Sequence, residues 1–325
     1  MKRRRGWVPW LHYVCVRLAI MVLDMFPVDL NLRTARWFGR IWWRALPRHR
    51  TRACKHIRKA YGDELPEAEV QRIALASMQH MAMLAVEMAQ VPRLLNERNW
   101  TRHVRLVNFS DALRVLLEGK GGILLTGHYG NWELCGYLLA LIGFENAAIM
   151  RPLDNAYLND YLVSVRSRHG LRLLDKKGVM ASAEEVIRSG VMLGFIADQD
   201  AGRKGLFVDF FGAPASTYKS IGLLAMATER PIIVGYCRRL SERFDYELGV
   251  QRVIHPHEWQ AQDDPLRWIT QEYTSQLEQI VRTDPTQYLW IHRRWKSVPR
   301  RRLVRLVSSE DSGGTVSRSK AVEGC

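Results

Sequence analysis

The sequence predicts an α/β fold: a layered sheet with flanking helices, preceded by an N-terminal helical region that associates with a membrane. Three observations predict it. Short apolar runs bounded by glycine alternate with helical patterns from Gly121 onward. A long helical period without strand signals precedes them. An apolar stretch flanked by arginines opens the chain.

Trp7 to Phe26 (WVPWLHYVCVRLAIMVLDMF) has sixteen apolar residues out of twenty and follows Lys2-Arg3-Arg4-Arg5. Its length suits a membrane span. Arg17 at its centre would cost roughly 2.5–3.5 kcal/mol there on insertion scales. Arg17 and Asp24 share one helical face and leave the other apolar. Basic residues flank both ends, with Arg33, Arg36, Arg40, Arg44, Arg48, Arg50 and Arg52 following. A true span would put one cluster on the wrong side of the positive-inside rule. A helix lying in the interface fits better, with Trp7, Trp10, Trp37, Trp42 and Trp43 at headgroup level. An ordinary buried first helix is the plain alternative.

Residues 33–118 read as helical. Between Glu67 and Gln90, apolar side chains recur with helical period at Val70, Ile73, Ala74, Met78, Met81, Leu84, Ala85 and Met88. The methionines suit a core better than a ligand box. GGILLTG (121–127) then reads as a buried strand, and 131–143 as a helix closed by Gly143. Strands follow at 146–150, 171–175, 191–198, 231–237 and 246–254. Helices are expected at 155–168, 181–188, 217–229 and 265–282, with Ser216 and Thr217 as an N-cap pair. A domain division near residue 60 is expected, giving a basic helical segment at 1–60 and a catalytic domain at 61–305 with its core at about 120–299. Residues 306–325 read as a loose tail, rich in Ser, Gly and charge.

Charge narrows the function classes. The net charge is +15, and residues 1–60 hold 15 Lys and Arg against two acids. His292 to Arg305 adds seven basic residues and no acid. Charge concentrated beside apolar sequence points to an anionic surface, either lipid headgroups or nucleic acid. No zinc-finger or RNA-recognition signature supports nucleic acid. The five cysteines are scattered without a CxxC pair, which argues against a disulfide framework or a thiolate zinc site. A reducing, cytosol-facing location follows, and neither metal nor cofactor is expected.

Gly127-His128-Tyr129-Gly130-Asn131-Trp132-Glu133 lies between a strand end and a helix start, where ligands bind in open α/β sheets. Glu133, in the first helical turn, is expected to fold back onto His128, fix its tautomer and stabilise the imidazolium. The spacing alone also allows a capping histidine beside a helix-start acid. Gly-x-Ser-x-Gly is absent and Cys135 falls inside the helix, so no nucleophile accompanies His128. A lone activated histidine suits direct attack by a substrate hydroxyl. Arg151, at a strand end before Pro152, can bind phosphate bidentately, or pair with Asp154 on the surface. Asp198 and Asp200 end another strand and are expected to brace Arg151 or another basic group. They are thin evidence for a metal. Asn131 joins Arg151, Asp198 and Asp200 as a candidate substrate contact.

GHYGNWE, MRPLDNAYLNDYL (150–162), GFIADQDAGRKGLFVDFFGAPAST (194–217) and PTQYLWIHRRWKSVP (285–299) together resemble the bacterial late lipid A acyltransferases, the lauroyl and myristoyl transferase family. The blocks stand in the family's order and cover roughly 120–299. The resemblance implies the layered sheet of glycerolipid acyltransferases, with His128 as base and Glu133 as its partner. It also implies an acyl carrier protein or acyl-CoA as donor and a phosphorylated lipid A precursor as acceptor, at the cytoplasmic face of the inner membrane. The family includes acyltransferases for mannosylated phosphatidylinositol, so another membrane glycolipid or a lysophospholipid stays open as acceptor.

Overall fold

The computed structural model describes residues 4–150, 152–167, 170–175 and 179–299. Arg151 and the expected tail at 306–325 lie outside the described residues. Four helices come first: α1 (Trp7–Asp24), α2 (Val28–Ala45), α3 (Pro47–Tyr61) and α4 (Glu67–Leu94). None of α1's residues is buried, and among the described residues it alone is long and apolar enough to cross a membrane. Trp7, Trp10, Leu18, Met21, Met25 and Phe26 stand exposed, and α2 adds Trp37, Phe38 and Ile41. Trp43 instead packs against the main core.

The inner faces of α2–α4 belong to the core. Leu32 and Ala35 of α2 cluster with Met83 of α4, and Gly39 of α2 lets the helix backbones meet. A Cβ there would lie 2.5 Å from the Gln79 Cα. Ala53 and Ile57 of α3 pack in one cluster with Leu125, Leu193, Val234 and Leu277. Packing therefore runs straight across the division expected at residue 60, because α3 is amphipathic and its apolar stripe needs the sheet to cover it.

The sheet has seven strands: β1 (Val104–Val107), β2 (Gly122–Thr126), β3 (Asn146–Met150), β4 (Arg172–Asp175), β5 (Met192–Ile196), β8 (Ile232–Arg239) and β9 (Tyr246–Ile254). Strands β6 (Leu206–Phe210) and β7 (Ala213–Thr217) form a separate antiparallel hairpin. The sheet order is β1-β9-β8-β2-β5-β3-β4. Five strands run parallel from β8 to β4, and β9 with β1 runs opposite. Helices α6 (Trp132–Leu141), α7 (Ala156–Ser167), α8 (Val179–Arg188) and α9 (Lys219–Thr228) lie in the crossovers that parallel pairing requires, while α5 (Ser110–Leu117) leads from β1 to β2 and α10 (Pro256–Gln260) and α11 (Pro265–Thr283) follow the last strand. This mixed α/β sheet with flanking helices is the architecture the alternation predicts.

Two local expectations are corrected. Residues 104–107 are an edge strand, not helix, because Val104–Val107 pairs with Tyr246–Gly249, a contact no local pattern encodes. Ser216 and Thr217 do not cap α9. They end β7, fully buried, and Tyr218 holds the cap position without a side-chain bond. Their hydroxyls are spent elsewhere, Ser216 donating to the Gly202 carbonyl and Thr217 accepting from Arg294 at 2.7 Å.

Candidate active site

Register builds the site. β2 and β5 pair in parallel with Thr126 opposite Ile196, so the residues two beyond each strand end, His128 and Asp198, emerge side by side. The Ala197 N–H extends the ladder to the Thr126 carbonyl at 2.9 Å. Asp198 then takes two hydrogen bonds from one residue. The His128 backbone N–H donates to Oδ2 at 2.9 Å and Nδ1 donates to Oδ1 at 2.7 Å. Both side chains are buried, Asp198 at 2% exposure and His128 at 9%.

Burial works against charge on both groups, yet the pair outweighs it. Desolvation favours neutral His128, but the Asp198 charge and hydrogen bond, with a smaller contribution from Glu133, raise its pKa overall. Desolvation likewise favours neutral Asp198, but the imidazole and the two His128 bonds hold it well below the carboxylate range. With Nδ1 committed to Asp198, Nε2 is the nitrogen left for chemistry. It faces the Gln199 amide at 3.4 Å. Trp132 packs edge-on to the imidazole at 4.9 Å, and His292 stacks on it at 5.7 Å and 17°. Burial, with His128 and Arg294 close by, outweighs the Asp198 charge and lowers the His292 pKa.

The turn is braced from behind. Gly130 has φ +56°, and a Cβ there would lie 2.0 Å from the Cys237 carbonyl oxygen. Its own carbonyl accepts from His80 Nε2 at 3.0 Å, and its N–H donates to the Gln287 carbonyl at 3.1 Å. Burial drives His80 down to about 4, so it is a neutral structural donor. The Leu289 N–H donates to the His128 carbonyl at 3.0 Å.

The structure redistributes the predicted site residues. Glu133 does not hold the imidazole. It occupies the second position of α6, facing α7, and pairs with Arg166 at 2.6 Å. Nδ1 instead points across the sheet ends to Asp198, which was expected to touch substrate or brace an arginine. Asn131, expected as a substrate contact, is fully buried with both ends of its amide bonded within the protein. Oδ1 caps α6 at the Leu134 N–H (3.0 Å) and Nδ2 donates to Glu87 at 3.1 Å. Glu87 is itself buried against Arg239 at 2.5 Å. Asp200 turns away from His128 and accepts from the Ser297 N–H and hydroxyl, each at 3.0 Å. Reasoning from sequence missed Gln199, His292, Arg166 and the buried Arg294, which donates to the Ser216 carbonyl at 2.7 Å. An acid at the end of an apolar run was the one available signal for Asp198 as a partner, and it needed the strand order to be read.

Beside His128 opens a cavity of about 800 Å³. Trp132 and Gln199, the two wall residues that touch the imidazole, line it together with the Glu133–Arg166 pair. Beyond them the walls are apolar, with Leu116, Leu139, Ala147, Leu173, Phe195 and Val250 among them. Small residues at Gly136, Gly194 and Gly235 leave the space open. The arrangement offers an oriented imidazole nitrogen behind Trp132 and Gln199, at the wall of an apolar chamber.

A family model described as bacterial lipid A biosynthesis acyltransferase matches residues 2–297. The chain is 26% identical over 286 residues to a lipid A biosynthesis acyltransferase of Haemophilus influenzae, covering 88% of this chain and 86% of that protein. It is 22% identical over 300 residues to the lipid A biosynthesis lauroyltransferase of Escherichia coli, covering 91% and 93%. It is also 25% identical over 178 residues to the phosphatidylinositol mannoside acyltransferase of Mycobacterium tuberculosis, covering 53% and 56%.

Proposed function

Because this chain belongs to the bacterial lipid A biosynthesis acyltransferase family and is an acyltransferase, we propose that it moves a fatty acyl chain from an acyl thioester to a hydroxyl of a phosphorylated glycolipid, a lipid A precursor. The donor is an acyl carrier protein or acyl-CoA. One observation carries the mechanism: the buried His128–Asp198 pair touches Trp132 and Gln199, which line an apolar cavity with room for a fatty chain.

The acceptor hydroxyl attacks the thioester carbonyl carbon while its proton passes to His128 Nε2. Asp198 holds the reactive tautomer and stabilises the imidazolium. The tetrahedral intermediate collapses, the carbon–sulfur bond breaks, and the imidazolium returns its proton to the departing thiolate. Gln199, whose amide lies by Nε2, is the nearest side chain to polarise the carbonyl oxygen. Glu133 and Arg166 sit at the cavity mouth as a pair that positions the substrates. Arg151 is proposed to contact a substrate phosphate.

Seating on the membrane follows from the exposed apolar side chains of α1 and α2 beside their arginines, which suit the cytoplasmic face of the inner membrane. The layered sheet is of the glycerolipid acyltransferase type on this reading. The similarity to a phosphatidylinositol mannoside acyltransferase supports a second acceptor class, another membrane glycolipid. Purified protein incubated with a panel of thioesters and lipids, read by mass spectrometry, decides between them. A lipid A precursor gaining one acyl chain supports the first reading. Gain only by another glycolipid supports the second, and gain by neither sinks both.

A further inference from the structure

A second concavity, of about 680 Å³, opens between α3 and residues 293–296. Arg48, Arg52, Lys55 and Lys59 line it at spacings of four, three and four residues, one face of α3. Arg293 and Lys296 face them from the other wall. Helix α3 contains no acid, and among the described residues its cation with an acidic partner is Arg58, bonded to Glu67 at 2.7 Å. Burial, with Lys55 close by, depresses the Lys59 pKa. Burial depresses His56 too, with Arg52, Lys55 and Lys59 adding to it. Lys59 lies over the Trp295 ring at 5.3 Å, but among the described residues the six cations have no acidic partner, and held together they repel one another.

Two connections place this groove. Its inner wall leads to the site. His56 Nδ1 donates to the Trp290 carbonyl at 2.8 Å, its ring lies 5.7 Å from Trp295, and two residues past Trp290 His292 stacks on His128. Its outer rim meets the apolar surface. Exposed Trp37, Phe38 and Ile41 of α2 lead to exposed Leu46, and the cationic stripe begins at Arg48. A bilayer that covers the apolar residues brings its phosphate layer to that rim.

We infer that the groove between α3 and residues 293–296 binds the phosphate group of a membrane lipid and so holds the phosphorylated acceptor beside the segment that carries His292 to His128. The inference rests on the reading that the acceptor is a phosphorylated lipid. Arginine forks and lysine point charges together suit a phosphate monoester.

The test is partition of the full chain onto phosphatidylcholine vesicles with and without phosphatidic acid. Arg52→Gln with Lys55→Gln is expected to weaken binding to the phosphatidic acid vesicles roughly 30-fold, two cations each contributing about fivefold. Binding to phosphatidylcholine alone stays the same. Arg52→Lys with Lys55→Arg restores most of the affinity, which excludes misfolding. Arg98→Gln with Arg102→Gln removes as much charge away from the groove, and an equal loss there overturns the assignment in favour of bulk charge. No loss in the groove variant overturns it too. Titration with a soluble acidic carrier protein is the last arm, and carrier binding lost with vesicle binding intact assigns the groove to the donor instead. Partition involves no chemistry, so a chain that transfers nothing yet shows this pattern refutes the proposed reaction and keeps the groove.

Discussion

Asp198→Asn removes one charge and changes almost nothing in shape. Asp198 is 2% exposed and takes two hydrogen bonds from His128, at 2.7 and 2.9 Å. An asparagine there still accepts one of them, but it can also offer its amide to Nδ1 and so favour the wrong tautomer. In a hydrolytic triad the same change lowers turnover about 10⁴-fold, and a loss of roughly 10³–10⁴-fold, about 4–5.5 kcal/mol, is expected here. The pH dependence gives a second readout. His128 works as a base only when neutral, so activity falls as pH drops through its raised pKa. Without the Asp198 charge, burial is opposed only by the smaller field of Glu133, and that pKa falls. The acidic limb of the rate profile therefore moves to lower pH even as the plateau drops. The assay is initial rate of acyl transfer against pH, with melting temperature recorded for each variant. A variant keeping wild-type turnover and an unmoved acidic limb would refute the assignment of Asp198.

Four further changes probe the frame. Glu133→Gln should lower transfer by less than Asp198→Asn and shift the acidic limb only slightly downward, since Glu133 reaches His128 by its field alone; rate profiles of the two variants side by side check it. Glu87→Ala leaves Arg239 charged and buried, and should destabilise the fold by about 3–5 kcal/mol in urea unfolding. Gly130→Ala forces a Cβ to within 2.0 Å of the Cys237 carbonyl, so activity and melting temperature should fall together; a stable, fully active variant contradicts the turn geometry. Gly136→Leu fills part of the cavity where the nearest atoms outside α6 lie 3.8 Å away. It should shift preference to shorter acyl thioesters with little loss of stability, measured as the ratio of kcat/KM values across chain lengths.

Much of the fold was legible because its strands are self-announcing. GGILLTG is buried on one face and half-buried against the cavity on the other, and it reads as a continuous apolar run, as strands of parallel sheets do. The helix after it was legible from residue 131, and the structure shows Asn131 capping α6. The edge strand Val104–Val107 was not legible, since four residues paired with a strand far along the chain carry no period of their own. The hairpin Leu206–Thr217 was lost because glycine and proline interrupt its pattern.

The site was half legible for the same reason. His128 is marked by local features, a glycine-bracketed turn between a strand and a helix. Its partner is not local. Glu133 is five residues away and Asp198 is seventy, and only the pairing of β2 with β5 makes the distant one the neighbour. Sequence spacing finds contacts within a turn, whereas a crossover connection hides those between strand ends. Asn131 shows the converse error. A polar residue in a functional turn looked available for substrate, but Glu87 and the α6 backbone had already claimed its amide.

The central claim is that the His128 imidazole takes the acceptor's proton. Its most direct test is transfer by His128→Ala, measured with an acyl thioester and a phosphorylated lipid A precursor, alongside circular dichroism to confirm folding. The account predicts that the folded variant adds no acyl chain to the lipid, while the wild type adds one. A folded His128→Ala protein that acylates the lipid at the wild-type rate would contradict it.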